Sequence, residues 1–164
     1  MGKEKLKIEM IKEFDESKPD QSAILTQNMA DIINERKKKL IIGKGIFNVL
    51  SQYPFSVQSK NTKKRAMNYL HSIPTNVFEE EFKRNSKGKE IEIELIFFLA
   101  EDYEKRDLDN FIKPICDSLI GRWFEDDSQI GKIFAEKIKV NEKDIDRNLN
   151  PKLYEQIYVS ARII

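Results

Sequence analysis

The chain has 164 residues, with 29 Lys and Arg against 28 Asp and Glu, 40% hydrophobic residues and 10% aromatic residues. That length suits one domain with a core of its own, and the composition excludes a disordered or fibrous chain. The net charge of +1 neither demands nor excludes nucleic acid, so local clustering matters more than the sum.

Residues 1–20 are ambiguous: LKIEM alternates like a strand, yet the segment is charged throughout. It has no apolar signal core, and no run in the chain approaches the roughly 20 apolar residues of a membrane span. A cytoplasmic protein with no membrane partner is the expectation. Lys18-Pro19-Asp20 reads as a break. From Gln21 to Leu40, Leu25, Met29, Ile32 and Ile33 recur at helical spacing, and Arg36, Lys37, Lys38 and Lys39 suit a helix C-terminus. Residues 46–50, IFNVL, read as a strand, and QYPFSVQSKN as an extended stretch.

Thr62 suits the cap of a helix reaching Ile73, with Ala66, Tyr69, Leu70 and Ile73 on one face. Lys60, Lys63, Lys64 and Arg65 crowd its start. Helix starts usually prefer acids, so these cations are either a DNA-phosphate contact or a solvated face. Pro74 ends this helix, and Asn85-Ser86-Lys87-Gly88 signals a turn. Then Ile91, Ile93, Leu95, Phe97 and Leu99 alternate strictly, the clearest strand in the chain. SQIGKIFAEKIKV reads as a further strand, residues 141–152 as a polar loop, and EQIYVSARII as a final strand with Ile157, Val159, Ala161 and Ile163 on one face.

Elimination narrows the chemistry. One cysteine, Cys116, cannot form an internal disulfide, fits a reducing compartment and reads as a small core residue. His71 is the one histidine and reads as a helix-surface residue. One His and one Cys cannot build a zinc finger or cluster in a single chain, and no nucleophile elbow accompanies His71. No GxxxxGK[ST] or GxGxxG motif is present, so no nucleotide cofactor is expected. Carboxylates, lysines and hydroxyls remain.

The carboxylates concentrate in RDLDNFIKPICDSLIGRWFEDDSQIGKI, residues 106–133. Asp107 and Asp109 flank Leu108, so in extended backbone both acids face one side. Asp109 or Asn110 suits the N-cap of the next helix, and Pro114 places the start near Asn110, because proline is tolerated in a first turn. Asp109, Lys113 and Asp117 lie four apart on one face, and Gly121 suits the helix end. If the following strand lies beside the one ending near Ala100, Asp127 meets Asp107 and Asp109. Three carboxylates are hard oxygen ligands suited to Mg²⁺ or Mn²⁺, and Lys113 suits phosphate charge. The bland alternative stays open: loop and cap aspartates, an ordinary i,i+4 pair and an acidic turn.

Asp107, Asp109, Asn110, Lys113, Asp117, Leu119 and Gly121, then Asp126, Asp127, Gln129 and Ile130, together resemble the RusA family of Holliday-junction resolvases. PFSVQSKN is similar to the segment after that family's first strand. The resemblance covers roughly residues 46–164 and leaves residues 1–45 as a probable helical extension. It implies a small α+β fold, a mixed sheet packed with helices, and a homodimer. It also implies Mg²⁺-dependent cleavage of four-way DNA junctions in recombination and repair, often in a prophage setting. The metal and catalytic roles fall to Asp107, Asp109 and Asp127, and the essential lysine role to Lys113. Two symmetric nicks call for two sites, which suits a dimer. The alternatives are a non-cleaving binder of branched DNA or of a partner, favoured by the unfamiliar first 45 residues, and a nuclease specific for other DNA structures.

Overall fold

The apolar alternation from Ile91 to Leu99 becomes the centre of the sheet. The computed structural model describes residues 24–40, 44–51 and 62–164. In chain order they form α1 (Gln27–Lys37), β1 (Gly45–Ser51), α2 (Thr62–Ser72), α3 (Val77–Ser86), β2 (Ile91–Leu99), α4 (Asp109–Leu119), β3 (Ile130–Lys139) and β4 (Gln156–Ile163). The fold is α+β. The sheet order is β1-β4-β2-β3, with β4 antiparallel to both β1 and β2, and β2 parallel to β3.

Both faces of this sheet are covered. On one face Ile91, Ile93, Leu95, Phe97 and Leu99 join Ile157, Val159 and Ala161 under Ala66 and Leu70 of α2, Phe82 of α3, and Phe111, Ile115 and Leu119 of α4. On the other, Ile96, Phe98 and Tyr158 pack with Met29 and Ile33 of α1 and with Leu153 and Tyr154. Each fully buried Ile, Leu or Phe contributes about 1.5–3 kcal/mol relative to exposure. The polar members of β2 on the α1 side are paired: Arg36 donates to Glu94 at 2.9 Å and Arg162 to Glu92 at 2.7 Å. Among the described residues no helix is long and apolar enough to cross a membrane.

The strands and helices expected from the sequence form within a residue or two of their expected bounds. The helix α3 is the exception, for no periodicity announces it. Val77 and Phe78 are 71% and 70% exposed, and Phe82 is its one buried large apolar residue. Its signal is the capping box: the Asn76 side chain accepts the Glu79 N–H at 2.9 Å, and the Glu79 carboxylate accepts the Asn76 N–H at 3.0 Å.

Glu79 also holds the helices together. It accepts from Arg122 Nε at 2.9 Å and from Trp123 Nε1 at 2.9 Å, while Arg122 donates onward to the Leu70 and Ile73 carbonyls at 2.7 and 2.9 Å. Burial pushes the Glu79 carboxyl upward, but the hydrogen bonds from Arg122, Trp123 and Asn76 outweigh it, and the pKa falls below the ordinary carboxylate value. A lowered folded-state pKa stabilises above the unfolded value and loses that contribution as pH falls through the folded one. Glu79→Gln is therefore expected to cost about 2–3 kcal/mol at neutral pH, because Arg122 keeps its carbonyl partners but loses its counter-charge. Denaturant melts of variant and wild type at pH 7 and pH 3 check this, and the gap should narrow at the lower pH.

Candidate active site

The acidic motif begins where β2 ends. The connection from Ala100 to Leu108 is held from two sides. Glu155, 4% exposed, accepts the Ala100 and Glu101 N–H groups at 2.9 and 3.2 Å and Arg106 Nη1 at 2.6 Å with the same oxygen. Lys137 of β3 donates to the Tyr103 and Arg106 carbonyls at 2.7 and 3.0 Å, and the Tyr103 hydroxyl returns a bond to the Lys137 carbonyl at 3.1 Å. Asp102 sits at φ 51, the left-handed region that Asp tolerates better than most residues. None of these clamps is visible as a local pattern.

On this fixed loop Asp107 and Asp109 are exposed, while Leu108 between them packs against the core. Among the described residues neither aspartate has an ion-pair partner. Asp109 lies in the first turn of α4, where the helix dipole favours a carboxylate. Phe111 anchors the helix start, its ring 5.0 Å from that of Phe97. The expected cap is corrected: Leu108 occupies the cap position at φ −60 and ψ −43 with no side-chain bond, and Pro114 lies inside the helix rather than in its first turn. The buried stripe of Phe111, Ile115 and Leu119 sets the helix start, and the lost hydrogen bond from position 114 is tolerated. Gly121, at φ 85, turns the chain just past the helix end.

Lys113 is 82% exposed and lies 3.5 Å from Asp117, which is 13% exposed. Cys116, beside Asp117, has its thiol pushed up to about 11 by burial, with the Asp117 charge adding to the shift. It is a protonated core thiol, not a nucleophile.

Asp126 and Gln129 shape the second acidic turn. The Asp126 carboxylate accepts the Ser128 N–H at 2.8 Å. That bond, followed by the Asp127 and Ser128 side chains, holds it below the usual carboxylate range. Gln129 accepts the Glu125 N–H at 2.9 Å and donates to the Ser86 and Lys89 carbonyls at 2.7 and 3.1 Å. These two residues fasten the turn and leave Asp127 exposed at its head.

Asp127 does not meet Asp107 and Asp109 within one chain. The strand after the motif does pair with β2, but in parallel, so Ile130 lies beside Ile91 and Lys139 beside Leu99. Asp127 therefore sits at the start of β2 and the Asp107 loop at its end. Across the 9 residues of β2, at about 3.3 Å each, the ends are roughly 26 Å apart. Consistent with this, no three His, Cys, Asp or Glu side chains among the described residues are grouped to hold a metal.

The basic cluster is partly in view. Lys60 and the Lys63 side chain lie outside the described residues. Lys64 is exposed and Arg65 half-buried at the start of α2. Arg122 ties the C-terminal ends of α2 and α4 together, and the helices pack against each other. Both therefore run the same way, and Lys64 and Arg65 fall at the same end of the molecule as Asp107 and Asp109.

The family model described as Endodeoxyribonuclease RusA matches residues 16–147. The chain belongs to the RusA endodeoxyribonuclease family. The match to RusA takes in the whole acidic motif and starts well ahead of residue 46, so it also includes α1. That helix is fastened to the sheet, with the Ile24 N–H donating to the Leu153 carbonyl at 2.7 Å and Arg36 bonding both Glu94 and Glu136. No curated protein sequence matches this member of the RusA family.

Proposed function

We propose that this chain is a metal-dependent, structure-selective endodeoxyribonuclease that resolves Holliday junctions as a homodimer, in DNA recombination and repair in the cytoplasm, with a prophage-derived origin. The observation that carries the reading is the RusA match over an intact acidic motif whose first two aspartates stand exposed on a clamped loop.

The donor set fits Mg²⁺ or Mn²⁺: exposed carboxylates, hard oxygen ligands with room for water. Asp107 and Asp109 would hold the ion with Asp127. Because a single chain keeps Asp127 at the far end of β2, the third carboxylate is assigned to a second copy. When bound, the ion supplies charge neutralisation at the scissile phosphate and acidifies the attacking water. The chain's own residues do the rest. The loop held by Glu155 and Lys137 fixes the aspartates before substrate arrives, which removes an ordering cost from the reaction. Lys113, one turn along α4 from Asp109, offers its ammonium to phosphate charge. Lys64 and Arg65, at the same end, take DNA backbone contacts together with Lys60 and Lys63, and binding should weaken steeply with salt.

The test is a labelled four-way junction beside linear duplex and flap DNA, in Mg²⁺ and in Mn²⁺. Paired symmetric nicks on the junction alone are expected. Tight junction binding with no nicks in either metal would replace the resolvase reading with a non-cleaving binder. Preferred cutting of flaps would make it a nuclease of other specificity. In the same assay Lys113→Ala should lower cleavage about 10²-fold. Its melting temperature should hardly move, since an exposed i,i+4 pair is worth only about 0.3–0.5 kcal/mol.

A further inference from the structure

The strand β3 lies at the edge of the sheet, and among the described residues nothing pairs with its outer side. Its middle exposes two adjacent apolar side chains, Ile133 at 42% and Phe134 at 54%. They point to opposite faces, so no single helix or loop covers both. An open edge with apolar residues on either face is a template for another strand. We infer that β3 pairs antiparallel with β3 of a second copy, making one continuous sheet across the dimer with Phe134 opposite Phe134. This rests on the dimeric reading above and names its interface.

Symmetry restricts the register. A two-fold axis perpendicular to the sheet keeps every residue on its own face, so a residue can oppose only one that shares its face. With Phe134 on the axis, Lys132 faces Glu136 of the second copy and Glu136 faces its Lys132. Ile133 then faces Ala135, and Ile130 faces Ile138. Shifting the axis to Ala135 sets Phe134 against Glu136 and Lys132 against Ile138, which loses both the charge and the apolar matches. Glu136 gives one oxygen to Arg36 yet remains 45% exposed, so it can accept a second cation. Lys137, the other central charge, is turned inward onto the Tyr103 and Arg106 carbonyls.

The same register brings the acids together. Ile130 of one copy lies beside Ile138 of the other. Asp127 therefore comes level with residue 141 of the second copy, just past the end of its β3. The Lys137 bonds hold the Asp107 loop at that end of β3. Two such juxtapositions arise, one at each end of the paired strands.

Sedimentation equilibrium on the full chain tests this with Lys132→Glu, Glu136→Lys and the double variant. The wild type should be dimeric. Lys132→Glu sets like charges opposite each other twice per dimer and should raise the dissociation constant on the order of thirtyfold. The double variant should return to within about threefold of wild type. Lys132 is exposed, so an unchanged melt of the single variant is the check on its fold. A monomeric wild type overturns the dimer reading and this inference together. A dimer indifferent to Lys132→Glu, or not rescued in the double variant, overturns the β3 register and leaves the dimer standing.

Discussion

Asp107→Asn protein mixed with Asp127→Asn protein is expected to nick four-way junctions that neither variant cuts alone. Each pure variant carries a damaged carboxylate in both of its sites. If the ion is held by two aspartates of one copy and one of the other, loss of either type removes several kcal/mol of stabilisation, and activity should fall by on the order of 10³-fold or more. In the mixed dimer the lesions distribute differently. One site receives both substitutions, and the other receives Asp107 from the second variant and Asp127 from the first, so it is intact. With random exchange half the molecules are mixed, and about a quarter of all sites regain a full set of ligands. The products should be single nicks, because only one site per mixed dimer works. If all three aspartates acted within one chain, no mixture could recover activity. The parallel pairing of β2 and β3 motivates the experiment, since it holds Asp127 beside the start of β2 and the other two acids beside its end.

That pairing also shows where sequence reasoning stops. The motif itself was legible because its residues are contiguous, and β2 because its alternation is strict. The position of Asp127 depended on strand direction, which spacing alone leaves open. The missed clue is the connection. Strand, single helix and strand is the pattern of a parallel crossover, and in such a unit both strands start at the same end. A closely meeting Asp107 and Asp127 would have needed an antiparallel pair. The helix α3 was written in the Asn76–Glu79 capping box but masked by exposed Val77 and Phe78. Arg122, Glu79, Arg106 and Glu155 were not legible at all. Their pairings join residues 43 and 49 positions apart in sequence, and charge composition says nothing about which acid meets which base. Cys116 was readable, since a free cysteine between Ile115 and Asp117 on an amphipathic helix has a core to enter.

Glu155→Ala should then damage both the fold and the chemistry, although Glu155 lies outside the acidic motif. Its side chain is 5% exposed and that of Arg106 10%, so truncation leaves a buried guanidinium without its carboxylate and two N–H groups, of Ala100 and Glu101, without their acceptor. Breaking such a pair from one side costs about 3–5 kcal/mol, which for a chain of this size lowers the melting temperature by roughly 10 °C. Below that temperature the protein should still cut junctions poorly, by at least about tenfold, because the loop that carries Asp107 and Asp109 has lost its anchor. Two controls separate the effects. Glu155→Gln keeps an oxygen for the two N–H groups and should recover most of the stability. Arg106→Ala with Glu155→Ala should cost less than the two single changes added together, since the unpaired charge is gone. The single variants would then agree in stability loss while the double variant exposes the loop's own contribution to cleavage. A Glu155→Ala protein that melts and cleaves like wild type would mean that Lys137, with its bonds to Tyr103 and Arg106, is sufficient to hold the loop.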